Sequence, residues 1–278
     1  MTTLEFTLLV VLVSAAAGFL GALTGLGGGV VITPVLTLAF GVDIRYAIGA
    51  TLVSVIATSS GAAAAYVREG FSNIRVGMFL EIATTIGAVA GATLAAFTPT
   101  SALAIIFGAV LLHSAYLASR QKAGSFEAAT ADPLATRLRM NSSYPSLHGP
   151  QPYFVQRVKL GFGMMFGAGV LSGLLGIGSG ALKVIAMDRT MKLPFKVSTT
   201  TSNFMIGVTA AASAGVYLGR GYIDPGLAMP VMLGVLIGSV LGARHLAGAR
   251  TQALRLIFGL VVAALAIEMI YSGLTGGI

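Results

Sequence analysis

The sequence predicts an all-α integral membrane protein made of two inverted-topology repeats, each with about five membrane-inserted segments. The first observation is composition: 56% of the 278 residues are hydrophobic and 9% are charged, against roughly 45–50% and about 25% in soluble domains. The second is a series of apolar runs, most of them long enough to approach the thickness of a bilayer. The third is an internal repeat that relates the two halves of the chain.

Five apolar runs make up each half, a front pair divided by a glycine-rich motif and then three spans. The run at residues 30–40 is about 16 Å long as a helix and is too short to cross a hydrocarbon layer of about 30 Å. We therefore expect the front pair of each repeat to be broken or re-entrant at its glycine motif. The runs are residues 4–23, 30–40, 47–67, 76–97 and 102–119 in the first half, and 160–175, 181–187, 197–218, 226–243 and 256–271 in the second.

The two halves align at a constant shift of 151 residues, without a gap from about Val10 to Ala118. The glycine motif at residues 25–29 falls on residues 176–180. A constant offset over roughly a hundred residues is not expected from composition alone. Between the halves the chain is rich in Pro, Ser, Thr and charged residues and is too polar to span a membrane. The predicted domains are a first repeat (1–120), a cytoplasmic linker (121–156) and a second repeat (157–278).

Positive charges test the inverted arrangement independently of the alignment. A front pair that returns to its own side, followed by three spans, makes each half cross an odd number of times, so the halves are inverted. With the linker in the cytoplasm, fifteen of the 17 Lys and Arg residues lie on the cytoplasmic side, and only Arg45 and Arg220 lie outside. This is the bias of multi-pass inner-membrane proteins. Both termini are predicted to be external.

The residue types exclude several kinds of chemistry. The chain has no Cys, which excludes disulfides, thiolate nucleophiles, iron–sulfur clusters and Cys-rich zinc sites. Its three His are far apart, so we predict no metal site and no cofactor. The net charge of +8 is explained by cytoplasmic loops, and no basic stripe interleaved with aromatics occurs, so we predict no nucleic-acid partner. The expected partners are the lipid bilayer and a small anionic substrate; the oligomeric state stays open.

The glycine motifs are candidate anion sites. Secondary transporters with inverted repeats bind their substrates where front helices are broken. Such a break exposes backbone N–H groups, and the positive end of a half-helix dipole favours an anion. The alternative is that small residues allow close helix packing. The candidate motif residues are Gly27, Gly28, Gly29, Gly178, Ser179 and Gly180.

Hydroxyl side chains recur in both halves at helical spacing. Three in the first half lie at i, i+3 and i+7, on one helix face, and two in the second half fall on repeat-equivalent positions. Neutral donors that face each other across a pseudo-two-fold axis suit a small oxyanion, whereas hydrogen bonding between packed helices is the alternative. The candidates, with one neighbouring amide, are Thr51, Ser54, Thr58, Ser202, Asn203 and Thr209.

Lys183 follows the second glycine motif in an apolar stretch where the first half has Ile32. An ammonium inside a membrane needs a partner, either a carboxylate of the protein or a substrate anion. Glu81, six residues after Arg75, is the best internal candidate, and it is also a possible site for a coupled proton. The alternative is that Lys183 snorkels to the cytoplasmic interface.

Three segments resemble the sulfite exporter TauE/SafE family of membrane permeases. They are GFLGALTGLGGG at residues 18–29 with Pro34, GLLGIGSG at 173–180 and TSNFMIG at 201–207. The resemblance covers both halves, and Ser179 and Lys183 depart from the more usual all-glycine, apolar second motif. It implies an inner-membrane carrier of small sulfur-containing anions, such as sulfite or organosulfonates, that does not hydrolyse ATP.

We therefore expect a secondary anion transporter that works by alternating access at the repeat interface. We expect no enzymatic activity and no catalytic residues. The chain has no G-x-x-x-x-G-K-[ST] motif, which argues against ATP hydrolysis by this protein. The alternatives are a membrane-embedded enzyme acting on lipid phosphates and a carrier for a small carboxylate.

Overall fold

The computed structural model describes residues 2–24, 29–68, 71–119, 132–145, 149–245 and 251–277. These residues form eleven α-helices and one antiparallel pair of short strands, which confirms the all-α prediction. The helices are α1 (Thr3–Thr24), α2 (Gly29–Phe40), α3 (Ile44–Arg68), α4 (Ile74–Ala95), α5 (Thr100–Ser119), α6 (Pro133–Arg137), α7 (Val158–Leu175), α8 (Gly180–Ile185), α9 (Phe195–Gly219), α10 (Pro225–His245) and α11 (Thr251–Thr275). The strands are β1 (Ser142–Tyr144) and β2 (Gln151–Tyr153), and a π-helical turn (Ala186–Thr190) continues α8.

Several of the described helices are suited to a lipid environment. Three segments, Ile74–Ala95, Val158–Leu175 and Pro225–Gly242, are long and apolar enough to cross a membrane. In α4 the exposed large side chains Met78, Ile82 and Ile86 recur every four residues, which places them on one face of the helix. A helix face of exposed apolar residues is expected where a protein contacts lipid.

The front segments of the two halves are short or interrupted. α2 has 12 residues, about 18 Å at the helical rise, and does not reach across a hydrocarbon layer of about 30 Å. α8 has six residues before the π-helical turn begins. α7 ends at Leu175, and the left-handed residues Gly176 and Gly178, both with φ of 68°, separate it from α8. The chain is thus broken at the second glycine motif.

Helices α4 and α7 pack through small residues. A Cβ atom added to Gly87 would overlap the carbonyl oxygen of Phe166, and one added to Gly91 would overlap that of Val170. A step of four residues toward the C-terminus of α4 thus moves the contact four residues toward the C-terminus of α7. The two helices run parallel, and their backbones approach as closely as glycine permits.

Helices α1 and α10 pack in the same way. A Cβ atom on Gly234 would overlap the carbonyl oxygen of Val11, and one on Gly238 would overlap that of Ala15. The contact again advances by four residues on each helix, so α1 and α10 are also parallel.

Helices α3 and α9 pack against each other in the opposite sense. Gly49, near the start of α3, lies against Tyr222, just beyond the end of α9, whereas Gly207 in the middle of α9 lies against Ser59. The two helices are therefore antiparallel. The contacts of α5 with α11 are antiparallel as well. The polar residues of the candidate site come largely from α3, α4, α8 and α9.

The linker contains a small folded unit. β1 and β2 pair in antiparallel register, and buried Met140 and Val155 join an apolar cluster with residues of α4, α7 and α9. The Asn73 side chain ties this unit to α4, because Nδ2 donates to Met140 O (2.8 Å) and to Tyr153 Oη (2.7 Å), and Oδ1 accepts from Val76 N (3.1 Å). Burial raises the pKa of the Tyr153 hydroxyl above its ordinary value. The sequence predicted the linker but not this hairpin.

Candidate functional site

Lys183 lies in α8 and has none of its surface exposed. Its Nζ donates a hydrogen bond of 2.6 Å to Thr209 Oγ1 in α9. The ammonium group therefore ends inside the protein and does not snorkel to an interface. A buried ammonium is stable only with charge and hydrogen-bond partners.

Glu81 of α4 lies on the other side of the same hydroxyl and is 8% exposed. Thr209 Oγ1 donates to Glu81 Oε1 at 2.6 Å, and Thr85 Oγ1 donates to the same oxygen at 3.2 Å. A threonine hydroxyl has one proton and can also accept. Thr209 Oγ1 also lies 3.0 Å from Met205 O of its own helix, but its bond to the Glu81 carboxylate is the shorter one and is charge-assisted. Thr209 thus accepts from Lys183 and donates to Glu81, so three residues from three helices form one buried chain, hereafter the charged triad.

The hydrogen-bonding capacity of the charged triad is only partly used. Lys183 has three N–H donors, and Thr209 is its one side-chain acceptor among the described residues. Within the same part of the chain, Glu81 Oε2 is buried without a hydrogen-bond partner. Most buried polar atoms in proteins are paired. The site is therefore chemically suited to a ligand that accepts from an ammonium.

Ser179 occupies a strained position four residues before Lys183. Its φ of 47° is left-handed, which is uncommon for a residue with a Cβ. Ser179 is the N-cap of α8, yet its side chain makes no capping hydrogen bond, and its Oγ is buried without a partner among the described residues. Residues held in such conformations are concentrated at binding sites.

The glycines of the second motif pack tightly against α3 and α9. A Cβ atom on Gly178 would lie 2.9 Å from Ile206 Cγ2 and 3.4 Å from Val55 Cγ1, and one on Gly180 would lie 2.8 Å from Ile206 Cδ1. A Cβ on Gly29 would lie 2.9 Å from Val55 Cγ2. These glycines therefore permit close helix packing, and Val55 lies against both motifs. Gly27 and Gly28 lie outside the described residues.

The predicted hydroxyls divide into two groups. In the first half, Thr51 shares a 2.8 Å hydrogen bond with Thr33 Oγ1, while Ser54 and Thr58 bond to carbonyls of their own helix. In the second half, Ser202 Oγ donates to Gly180 O at 3.2 Å, and Thr209 belongs to the charged triad. The hydrogen bonds described for the first group stay within the first half. Among the described residues, no hydrogen bond joins Thr51 to Ser202 or Thr58 to Thr209, the pairs that the repeat relates.

The structure thus brings together Lys183, Thr209 and Glu81, and separately Ser202 with Gly180. Asn203 is half-buried, with no side-chain hydrogen bond among the described residues. Sequence reasoning missed Thr33, which is fully buried against Thr51. The repeat gave no signal for it, because the residue 151 positions later is Val184.

Comparison with known proteins identifies relatives along almost the whole chain. A family model described as sulfite exporter TauE/SafE matches residues 10–269, which confirms the resemblance. The probable membrane transporter protein YunE of Bacillus subtilis (strain 168) is 28% identical over 98% of this chain and 99% of its own. YdhB of the same organism, also a probable membrane transporter protein, is 28% identical over 85% and 89%. A probable membrane transporter protein of Xylella fastidiosa (strain 9a5c) is 26% identical over 91% of each chain. No solved structure gives a significant match.

Proposed function

Since the chain belongs to the sulfite exporter TauE/SafE family, we propose that it is a secondary transporter of small anions rather than an enzyme. It is a membrane protein, and its relatives are named as probable membrane transporters. The observation on which the proposal rests is Lys183, fully buried beside a broken front segment, with its ammonium group on Thr209. A buried cation with unused donors is the chemistry that an anion site requires.

The proposed architecture is a pair of inverted repeats, at residues 1–120 and 157–278. Exchanging the halves converts α1 into α7 and α10 into α4, so the parallel α1/α10 and α4/α7 pairs are equivalent. The equivalent helices of the two halves, α3 with α9 and α5 with α11, pack antiparallel. If the two repeats had the same orientation in the membrane, these equivalent helices would run parallel to each other. These directions support the inversion, and alternating access follows from exchange of the two halves between equivalent conformations.

The proposed topology places the linker in the cytoplasm, both termini outside, and the chain in the inner membrane. Its support is the distribution of Lys and Arg described above. Fusions of a fluorescent protein and of alkaline phosphatase at the C-terminus test it. We expect phosphatase activity without fluorescence there, and the reverse for fusions inserted at Gly149 in the linker. Fluorescence from the C-terminal fusion would contradict the topology.

In the proposed site, the anion binds to Lys183 beside Ser179. Lys183 supplies the charge, and Ser179 Oγ, which has no partner in the described part of the chain, supplies a neutral donor. Ser202, Asn203, the glycine motifs and the hydroxyls of α3 would line the path at the repeat interface. The family description favours sulfur-containing oxyanions or organosulfonates as substrates.

Flux measurements with purified protein in vesicles test the function. Labelled sulfite, thiosulfate, sulfate, methanesulfonate and small carboxylates are offered in turn, with protein-free vesicles as the control. We expect saturable flux of sulfur-containing anions. Saturable flux restricted to carboxylates would contradict the proposed sulfur-containing substrates but would still identify the protein as an anion transporter. No flux of any anion, in vesicles that contain folded protein, would contradict the proposed function.

A further inference from the structure

Two opposite charges share one buried hydroxyl at the proposed anion site. Lys183 Nζ and Glu81 Oε1 are each 2.6 Å from Thr209 Oγ1, so the two groups lie within two hydrogen-bond lengths of each other. Both side chains are buried. The ligand that binds Lys183 therefore also approaches Glu81.

Charge balance decides what accompanies the anion. Without an anion, Lys183 and Glu81 sum to zero charge. A monovalent anion on Lys183 brings the sum to −1, and an unbalanced charge in a buried site is strongly unfavourable. One proton on the Glu81 carboxylate restores neutrality. Glu81 Oε2, buried without a partner among the described residues, is the oxygen that would take that proton and then donate to the bound anion.

Resting on the transport function proposed above, we propose that Glu81 binds one proton for each monovalent anion that binds Lys183, and that the two cross together. The proton comes from water on the side where the anion enters and returns to water on the side where it leaves. The empty and the loaded sites are both neutral, so one transport cycle moves no net charge.

Among the charged side chains that the structure describes, Lys183 is the counter-ion of Glu81, and the others near it lie at the surface or have other partners. On its own helix, Arg75 is exposed and its Nη1 donates to Arg139 O. On the neighbouring helices, Lys159 of α7 is exposed, and Lys196 of α9 is exposed with its Nζ over the Phe71 ring, 3.7 Å from its centroid. Farther along α9, the Tyr217 hydroxyl donates to Leu174 O, and Arg220 lies over the Phe97 ring. In the π-helical turn, Asp188 is half-buried and Arg189 is exposed.

The stoichiometry is measured on wild-type protein in vesicles that contain a pH-sensitive dye. Methanesulfonate is the probe, because it is the anion of a strong acid and carries no proton of its own. We expect one proton to enter with each methanesulfonate. A pH difference of one unit should accumulate the anion about tenfold at zero membrane potential, whereas a clamped potential of about 59 mV, the electrical equivalent of tenfold, should leave its distribution unchanged.

Flux that follows the potential and leaves the internal pH unchanged would overturn proton coupling but leave an anion transporter. Absence of methanesulfonate flux would overturn it too, and absence of flux for every anion tested would overturn the proposed function as well. The wild-type protein alone gives the stoichiometry, so the outcome does not depend on a variant folding.

A matched pair of variants locates the proton. Glu81→Gln keeps the shape of the side chain but cannot be protonated as a carboxylate can. We expect it to exchange labelled for unlabelled methanesulfonate independently of pH and to take up no proton. Glu268→Gln, the same change at an exposed position of α11, should keep one proton per anion. Full proton coupling in Glu81→Gln would overturn the assignment to Glu81.

Discussion

Replacing Thr209 by Val removes the hydroxyl at the centre of the charged triad and changes the size of the side chain little. Two hydrogen bonds of 2.6 Å are lost, one from the Lys183 ammonium and one to the Glu81 carboxylate. Each hydrogen bond to a charged group contributes about 1.5–3 kcal/mol. The full loss is therefore about 3–6 kcal/mol.

Part of that loss is recovered in the variant. Lys183 and Glu81 are close enough to shift toward each other and form a direct contact. We therefore expect the lower end, about 3 kcal/mol of unfolding free energy. At about 2–4 °C per kcal/mol for chains of this size, the melting temperature falls by about 6–12 °C.

The assay is thermal unfolding in detergent, followed by far-ultraviolet circular dichroism or by size-exclusion chromatography after heating. The chain has no Cys and no Trp, so thiol-reactive dyes and Trp fluorescence offer no signal. Thr209→Ser retains the hydroxyl and should recover most of the stability. Thr199→Val is the matched control, because within the described residues the exposed Thr199 hydroxyl bonds to Phe195 O of its own helix and to no other group. Equal melting temperatures for Thr209→Val, Thr199→Val and the parent protein would refute the charged triad.

Three other results are expected. Gly173→Ala should destabilise the protein by about 1–3 kcal/mol in the same assay, because its Cβ would overlap the Ala88 backbone. The control is Gly167→Ala on the same helix, where a Cβ meets nothing within 4 Å and the change should be neutral or stabilising. Equal losses of stability in the two variants would contradict the packing of α4 against α7. Asn73→Ala should speed amide exchange in β1 and β2, since it frees the hairpin from α4; unchanged exchange would contradict that attachment. The raised pKa of Tyr153 means that folding favours its protonated form, so its contribution is complete below about pH 10 and is lost as the pH rises above that. Ultraviolet titration of Tyr153→Phe should show one late-titrating tyrosine fewer than the parent protein, and an unchanged titration would contradict the burial.

The helices were largely predictable from the sequence because membrane helices are defined by long apolar runs. The span predicted at residues 76–97 is α4 at Ile74–Ala95, and the short run at 30–40 is α2 at Gly29–Phe40. Most helix termini lie within three residues of the predicted ones, and the differences arise because polar residues such as Asn73 cap a helix without belonging to the apolar run. The exception is α11, which begins five residues before its apolar run and ends four residues after it. The hairpin of the linker was not predictable, since three-residue strands in a polar segment have no hydrophobic alternation.

The charged triad was only partly predictable. A charged side chain in an apolar segment needs a partner of opposite charge, so Lys183 predicts a nearby carboxylate and Glu81 is the best candidate. The hydroxyl between them was not predictable, because its position depends on the rotation of α9 against α4 and α8. The repeat suggested equivalent roles for Thr58 and Thr209. The residue equivalent to Lys183 in the first half, however, is Ile32, which carries no charge. Both hydroxyls lie 3.0 Å from a carbonyl of their own helix, Ser54 O for Thr58 and Met205 O for Thr209, so the two charged partners are what distinguishes Thr209.

The most direct test of the central claim is the half-saturating anion concentration of Lys183→Met, compared with the parent protein and with Lys196→Met. Met replaces the buried ammonium by an apolar chain of similar length, and Lys196 is exposed. Loss of a charge-assisted hydrogen bond of about 1.5–3 kcal/mol raises that concentration roughly 10-fold to 150-fold. We expect this increase, or loss of flux, in folded Lys183→Met and parent behaviour in Lys196→Met. Parent affinity and rate in Lys183→Met would contradict an anion site at Lys183.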